Sequence, residues 1–244
     1  MGEAHWRGWR GRDTGRTTVR EMRRVAVALC TLGVLGSLTG GRPACAKDDC
    51  IPIEDFARAP AGQFPPDWKV RKEAGKGVYT VQTDDGRKFL HAVARDVGTQ
   101  AAKESAWDLA SHPVLAWSWR PRQFPEGADE RSDKNDSVLA VYAVFPHTRF
   151  TVKSVKYIWS EKVPVDTHLT SSRGMTQVRV LRSGRAGLDE WVEARANVLK
   201  DYRRYFDESD VPNPSGIAVL TDSDDTHSVA VGDYANFRAC RAGR

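Results

Sequence analysis

The chain has 244 residues, with 37 basic and 32 acidic side chains and a formal net charge of +5 at pH 7. Eight of the arginines lie before residue 47, and residues 47–244 carry 29 basic and 29 acidic side chains. Proteins that bind the phosphate backbone of nucleic acids need clustered Lys and Arg. The equal numbers of basic and acidic side chains in residues 47–244 therefore argue against a nucleic-acid-binding protein.

The segment 22–46 has the composition of an export signal. Arg23 and Arg24 precede an apolar run of about 14 residues, which is shorter than the roughly 20 residues of a transmembrane helix. Ala44-Cys45-Ala46 is a small-x-small cleavage site. We therefore predict a signal peptide, a mature protein in the periplasm or outside the cell, and no transmembrane segment after cleavage.

This interpretation divides the chain into three parts. Residues 1–21 are an extended N-terminus or result from a misassigned start codon at Met1, because Met22 is itself a suitable start. Residues 47–244 are expected to form a single domain, whose length suits one core. A lipoprotein with Cys45 as the lipidated residue is the alternative to simple cleavage.

Two cysteines, Cys50 and Cys240, remain after cleavage. An even pair of cysteines in an exported chain is typical of a disulfide bond. We therefore predict a bond between them, with two free thiols as the alternative.

Alternating apolar and polar residues predict a protein rich in β-strands. The run at 137–145 is apolar on both faces, which predicts a central strand. Asp84-Asp85-Gly86 lies between the first two strands and predicts a hairpin. The expected strands are 78–82, 88–93, 114–119, 137–145, 155–159, 176–181, 216–221 and 229–237.

One late segment, 191–206, has helical periodicity instead. It places Trp191, Val198 and Tyr202 on one stripe, and Asp189 is a candidate N-cap. We predict a jelly-roll-like β-sandwich with this single helix packed at its edge. An α+β fold with one sheet is the alternative.

Several segments share their order with the motifs of a known family. These segments are 113–119, 133–136 with 140–145, 157–159, 182–184, Trp191 with Arg195, Asn197, Asp201, Tyr202 and Phe206, 221–226 and 232–234. Together they resemble the bacterial exported family catalogued as domain of unknown function 3047. The resemblance covers about 53–237 and implies an envelope-located single domain without implying an activity. The acidic pair before the long strand is incomplete here, because Lys134 and Asn135 separate Asp133 from Asp136.

Aromatic side chains are the first candidates for ligand binding. Aromatic faces of a β-sandwich stack on sugar rings and other flat ligands. Arg195 is a further candidate, because a guanidinium would hold the carboxylate of an acidic glycan. Packing of the aromatic residues in the core is the alternative. The aromatic candidates are Trp117, Trp119, Tyr157 and Trp159.

The acidic loop at Asp222, Asp224 and Asp225 is the candidate metal site. Closely spaced carboxylates suit Ca²⁺, although the spacing is not that of an EF-hand. A structural turn is one alternative, and catalysis by Asp222 or Asp224 with His227 as general base is another. His227 is otherwise an exposed loop histidine. The sequence contains no His-x-x-x-His spacing and no Gly-x-Ser-x-Gly elbow.

Two functional hypotheses follow from these residues. The first is a non-catalytic envelope domain that binds a carbohydrate-like or other envelope ligand, with calcium as the candidate cofactor. The second is an enzyme that acts on polysaccharide through an Asp/His acid–base pair. The export signal, the neutral charge, the richness in strands and the number of Trp residues favour the first hypothesis, and a structural or scaffolding role is a third hypothesis.

Overall fold

The structure, a computed structural model, describes residues 49–70 and 73–243. The expected signal peptide, the N-terminal extension and Cys45 lie outside the described residues. The described part of the chain contains thirteen strands, two short 3₁₀ helices and one α-helix. The strands are β1 (Cys50–Glu54), β2 (Trp68–Val70), β3 (Tyr79–Asp84), β4 (Arg87–Arg95), β5 (Gly98–Glu104), β6 (Val114–Gln123), β7 (Leu139–Pro146), β8 (Val152–Ser160), β9 (His168–Ser171), β10 (Thr176–Ser183), β11 (Val192–Asn197), β12 (Gly216–Asp222) and β13 (Val229–Cys240); the helices are 3₁₀ helices at Glu73–Val78 and Ser172–Gly174, and α1 (Val198–Phe206).

The strands form two packed sheets. The six-stranded sheet has the order β11-β6-β13-β4-β3, with β1 paired to β13, and the seven-stranded sheet has the order β2-β5-β12-β7-β8-β10-β9. The β8–β10 pair is parallel, and the other strand pairs of the described residues are antiparallel. The predicted mostly-β sandwich with one late helix is confirmed. β7 lies at the centre of its sheet, as its two apolar faces predict.

The core lies between the inner faces of the two sheets. On β6, Leu115, Trp117 and Trp119 are fully buried and share the inner face. Trp117 packs against Tyr157 of the opposite sheet with ring centroids 5.7 Å apart, and Trp119 packs against Trp159 at the same distance. These four large rings therefore join the two layers at the centre of the sandwich.

The structure corrects the predicted start of the helix, because 192–197 is strand β11 rather than helix. This strand pairs with β6 and places Ala194 and Ala196 in the core. Ala, Glu and Arg give the segment helical propensity, but pairing with a buried strand overrides a weak local preference.

The helix itself begins at Val198 and is capped by Asn197. The Asn197 side chain accepts a hydrogen bond of 2.9 Å from the backbone N–H of Lys200, as an N-cap residue does. Asp189, the predicted cap, instead lies in the loop before β11 with a φ of 63°.

Cys50 and Cys240 form the predicted disulfide bond. The two residues are direct partners across the β1–β13 pair, so the bond joins neighbouring strands at the end of the six-stranded sheet. It closes a loop of 190 residues. On the chain-entropy model a loop of this length stabilises the fold by about 5 kcal/mol. None of the helices in the described residues is long and apolar enough to cross a membrane.

Candidate functional site

Strand β12 carries Asp222 to the outer face of the seven-stranded sheet, meaning the face that points away from the other sheet. Ile217 and Val219 belong to the core. Thr221 also points inward, and its hydroxyl lies 3.0 Å from both the Val138 carbonyl and the Tyr234 hydroxyl. Because successive side chains of a strand alternate between faces, Asp222 projects outward.

Asp222 and Asp224 lie directly over a glycine of the neighbouring strand. Gly98 on β5 is the register partner of Asp222. A Cβ atom at Gly98 would overlap Asp222 Oδ1 and would lie 2.7 Å from Asp224 Oδ1. Any larger residue at this position would therefore displace the two carboxylates.

Asp136 brings a third carboxylate to the same place from the segment before β7. Its Oδ2 accepts hydrogen bonds from the backbone N–H and the hydroxyl of Thr226, at 2.7 and 2.5 Å. Its Oδ1 accepts a bond of 3.2 Å from the N–H of Asp225. Oxygen atoms of Asp136, Asp222 and Asp224 lie within 4.8 Å of one another, and we call these three residues the aspartate cluster.

Asp222 is the most strongly perturbed member of the aspartate cluster. It is only 9% exposed, and its Oδ1 receives no hydrogen bond from any described residue. Burial, followed by the contact with Asp224, raises the pKa of Asp222 to about 8. The contact with Asp224 adds to this shift because two adjacent carboxylates repel each other when both are ionised.

A buried lysine lies on the same outer face. Lys156 on β8 is the cross-strand partner of Tyr142 on β7, and its Nζ lies 5.7 Å from the centroid of the Tyr142 ring. Burial favours a lower pKa for Lys156, but Tyr142, Asp222 and Glu130 outweigh it and raise the pKa above its usual value. Within the described residues, no carboxylate lies within 4.0 Å of Lys156 Nζ.

Glu130 adds a half-buried acid near Lys156. Its Oε2 accepts a hydrogen bond of 2.5 Å from the Ser160 hydroxyl. Burial raises the pKa of Glu130, and the hydrogen bond from Ser160 opposes this shift. The outer face thus combines acidic side chains, a cation and a phenol within one region.

The aromatic residues that the sequence singled out are not on a surface. Trp117, Trp119, Tyr157 and Trp159 are each at most 1% exposed, because alternation along β6 and β8 directs them to the inner face. A ligand would have to separate the two sheets to reach them. These four residues therefore pack in the core, and we do not propose that they bind a ligand.

The remaining predicted site residues are dispersed. Arg195 lies on β11 instead of the helix; it is exposed, and its Nη1 lies 3.5 Å from Glu193. The Asp225 carboxylate accepts a bond of 2.9 Å from Asn135. His227 Nδ1 pairs with Asp96 at 2.8 Å, which raises the pKa of His227. The structure therefore joins His227 to Asp96 and not to an acid of the cluster.

Three residues of this region were not singled out as site residues from the sequence: Asp136, Tyr142 and Lys156. The only signal for Asp136 was its place in the family resemblance. The run that contains Tyr142 is apolar on both faces, and the pattern along a strand does not show that the side chains of Tyr142 and Lys156 are neighbours and buried.

A second buried polar group lies on the outer face of the six-stranded sheet. Asp233 is fully buried and accepts hydrogen bonds from Arg120 Nε at 2.7 Å and from His91 Nδ1 at 2.6 Å. Arg120 in turn lies over the half-buried Trp191 ring, 4.6 Å from its centroid. Each of these charged groups has a partner, so this group has the character of a structural network.

Comparisons with known proteins match one family model and solved structures of low sequence identity. No curated protein matches the chain. A non-crystalline cellulose specific carbohydrate-binding module, CBM28, aligns over 72% of this chain and 89% of its own, with 13% identity and a TM-score of 0.39. Endoglucanase 3 of Trichoderma harzianum, from family GH12, aligns over 81% of this chain and 100% of its own, with 10% identity and a TM-score of 0.43.

These two similarities are too low to bear on function. The family comparison is more informative, because one family model spans most of the sandwich, from the start of β2 to the last strand. The match covers residues 66–238, and the chain therefore belongs to the family described as "Protein of unknown function (DUF3047)".

Proposed function

We propose that the protein binds a carbohydrate-like ligand on the outer face of its seven-stranded sheet. The binding residues are Tyr142 and Lys156 together with the neighbouring acids of the aspartate cluster. In this proposal the sandwich is a rigid support, and the core aromatic residues hold its two layers together without contacting the ligand.

The observation that carries this proposal is the burial of Lys156 and Asp222 on an outward-facing surface without a direct ion pair. Removing a charge from water costs several kcal/mol unless a partner compensates it. Within the described residues, the charge of Lys156 is stabilised by Tyr142, Asp222 and Glu130 without a direct ion pair. A set of buried charged groups with shifted pKa values is typical of a functional site, which supports ligand binding on this face.

The chemistry of the face suits a polyhydroxylated ligand. Sugar hydroxyls both donate and accept hydrogen bonds, and the face offers acceptors at Asp222 and Asp224 and donors at Lys156 and Tyr142. The outer face therefore contains the few convergent polar groups that orient a bound small molecule.

We further propose that the protein acts outside the cytoplasm, in the periplasm or beyond the cell, as one mature domain that begins near residue 47. The disulfide between Cys50 and Cys240 supports this location, because such bonds persist in oxidising compartments.

The test is a thermal-shift and calorimetric screen of the oxidised protein against soluble peptidoglycan fragments, lipopolysaccharide-core oligosaccharides, and β-glucan and xylan oligosaccharides. A ligand at 100 times its dissociation constant adds about 2.7 kcal/mol of stability, which is a shift of several degrees. Lys156→Met and Tyr142→Ala should abolish that shift.

Lys200→Met serves as the control, because Lys200 is an exposed lysine on α1. A glycan that stabilises the wild type and both face variants equally would place the binding site elsewhere. A screen in which no glycan stabilises the protein would refute the proposal.

A second candidate function is hydrolysis of polysaccharide. The observation in its favour is that burial beside Asp224 raises the pKa of Asp222 to about 8, which is the kind of shift that a general acid needs. Reducing-end assays on any glycan that binds would test it. Loss of turnover in both Asp222→Asn and Asp224→Asn, with turnover kept in Asp225→Asn, would support an enzyme.

A further inference from the structure

The aspartate cluster also has the geometry of a cation site, and this inference does not depend on glycan binding. We propose that Asp136, Asp222 and Asp224 bind one calcium ion at the outer end of β12. The ligand set differs from the one expected from the sequence, because Asp136 replaces Asp225.

The separation of the three carboxylates fits a single ion. Calcium binds oxygen atoms at 2.3–2.6 Å, so two oxygens on one ion lie at most about 5 Å apart. One oxygen from each of Asp136, Asp222 and Asp224 falls within 4.8 Å of the others. The set contains only oxygen ligands, which hard cations such as Ca²⁺ prefer.

An unsatisfied buried oxygen points to a ligand independently of this clustering. Asp222 is 91% buried, given its exposure of 9%, and no described residue donates a hydrogen bond to its Oδ1. The same Oδ1 lies over Gly98 beside Asp224 Oδ1. A buried carboxylate oxygen without a donor is costly, and a cation beside Asp224 would satisfy it.

The nearest buried cation does not take this role. Lys156 contributes to the electrostatic field at Asp222, but within the described residues no ion pair of 4.0 Å or less joins the two. The Lys156 ammonium group therefore does not neutralise the carboxylates directly, and a bound cation could do so.

The surroundings also permit a complete coordination shell. Calcium takes six to eight oxygen ligands, and carboxylates can supply one or two each. Asp222 is buried whereas Asp224 is exposed, so water has access to the ion from the Asp224 side. Asp136 keeps about one unused acceptor site, on Oδ1, since a carboxylate offers about four acceptor sites and three hydrogen bonds reach it.

Asp225 provides a matched control for this assignment. It is adjacent to Asp224 and equally exposed, but its carboxylate binds Asn135 instead of joining the cluster. Replacing either aspartate by asparagine removes one negative charge from the same loop. A difference between the two variants therefore reports coordination and not the general charge of the loop.

The experiment is calorimetric titration of CaCl₂ into the EDTA-treated and desalted protein, repeated with MgCl₂ and accompanied by thermal unfolding with Ca²⁺ or EDTA. We expect one Ca²⁺ per chain and a rise in melting temperature. Asp222→Asn and Asp224→Asn should weaken Ca²⁺ binding at least about tenfold, because affinity follows the number of charged ligands. Asp225→Asn should bind as the wild type does.

Each other outcome overturns the assignment. No heat and no thermal response at millimolar Ca²⁺ would show that the cluster holds no ion. Equal losses of Ca²⁺ affinity in Asp224→Asn and Asp225→Asn would show that the ion responds only to the net charge of the loop. Tighter binding of Mg²⁺ than of Ca²⁺ would exclude calcium as the preferred ion. Circular dichroism confirms folding, and the exposed Asp224→Asn variant keeps the test valid if Asp222→Asn fails to fold. A calcium response without any glycan response would separate this proposal from the proposed function.

Discussion

Thr226 donates both its backbone N–H and its hydroxyl to a single oxygen of Asp136, although 90 residues separate the two in sequence. Asp136 thereby fixes the loop that follows β12 to the segment that precedes β7. The position of Asp224 depends on this attachment, because Asp224 belongs to the same loop.

Asp136→Ala should destabilise the protein by about 1–3 kcal/mol, because three hydrogen bonds to a buried carboxylate are lost together. Urea unfolding monitored by fluorescence measures this change. Asp133→Ala is the control, since Asp133 is exposed and should change stability by less than about 0.5 kcal/mol. Equal effects of the two substitutions would contradict the anchoring role of Asp136.

Asp222 should make the stability of the calcium-free protein fall as the pH rises. Its pKa is raised from 3.8 to about 8 in the folded state, so its stabilising contribution is complete below pH 4 and is lost as the pH rises towards 8. Asp222→Asn cannot ionise and should exceed the wild type in stability at pH 9 by on the order of a few kcal/mol. The midpoints of urea unfolding at pH 5 and pH 9 in EDTA test this, and parallel pH curves for the two proteins would contradict it.

Trp117→Ala should cost about 3–5 kcal/mol of stability, because it leaves a cavity among the rings that join the two sheets. Trp191→Ala is the comparison, since Trp191 is only half-buried and should cost less. The midpoints of denaturant unfolding of both variants measure this difference in stability. If Trp117 were a surface ligand residue, its loss would leave the stability unchanged.

Removal of the disulfide by the double substitution of Cys50 and Cys240 with serine should lower stability by about 2–5 kcal/mol. Unfolding of the variant beside the oxidised wild type measures the difference. The wild type under reducing agent should match the variant. If reduction had no effect, the cross-link would not contribute to stability.

The fold was predictable from the sequence where one face of a strand is apolar and the other is not. Leu115, Trp117 and Trp119 alternate with Ala116 and Ser118, and the structure places the first three in the core. Five strands were missed, namely β1, β2, β9, β5 and β11, and the last two share a physical reason. Their small and charged residues have little strand propensity, and they become strands because they pair with buried neighbours.

The candidate site was predictable only in part. Asp222 and Asp224 are close in sequence, so their proximity was visible from spacing alone. Asp136 joins them from the segment that precedes β7, and Lys156 comes from β8. Spacing in sequence carries no information about such contacts, which depend on the order of strands within the sheet.

The pairing of Cys50 with Cys240 also determines how the domain would respond to mechanical force. Asp49 and Arg241 lie just outside the disulfide, and the Arg241 guanidinium contacts the Asp49 carboxylate at 2.6 Å. Tension applied between these two residues would pass through one covalent bond and bypass every strand between them. A domain attached through both of these residues would therefore carry load while its outer face kept its shape.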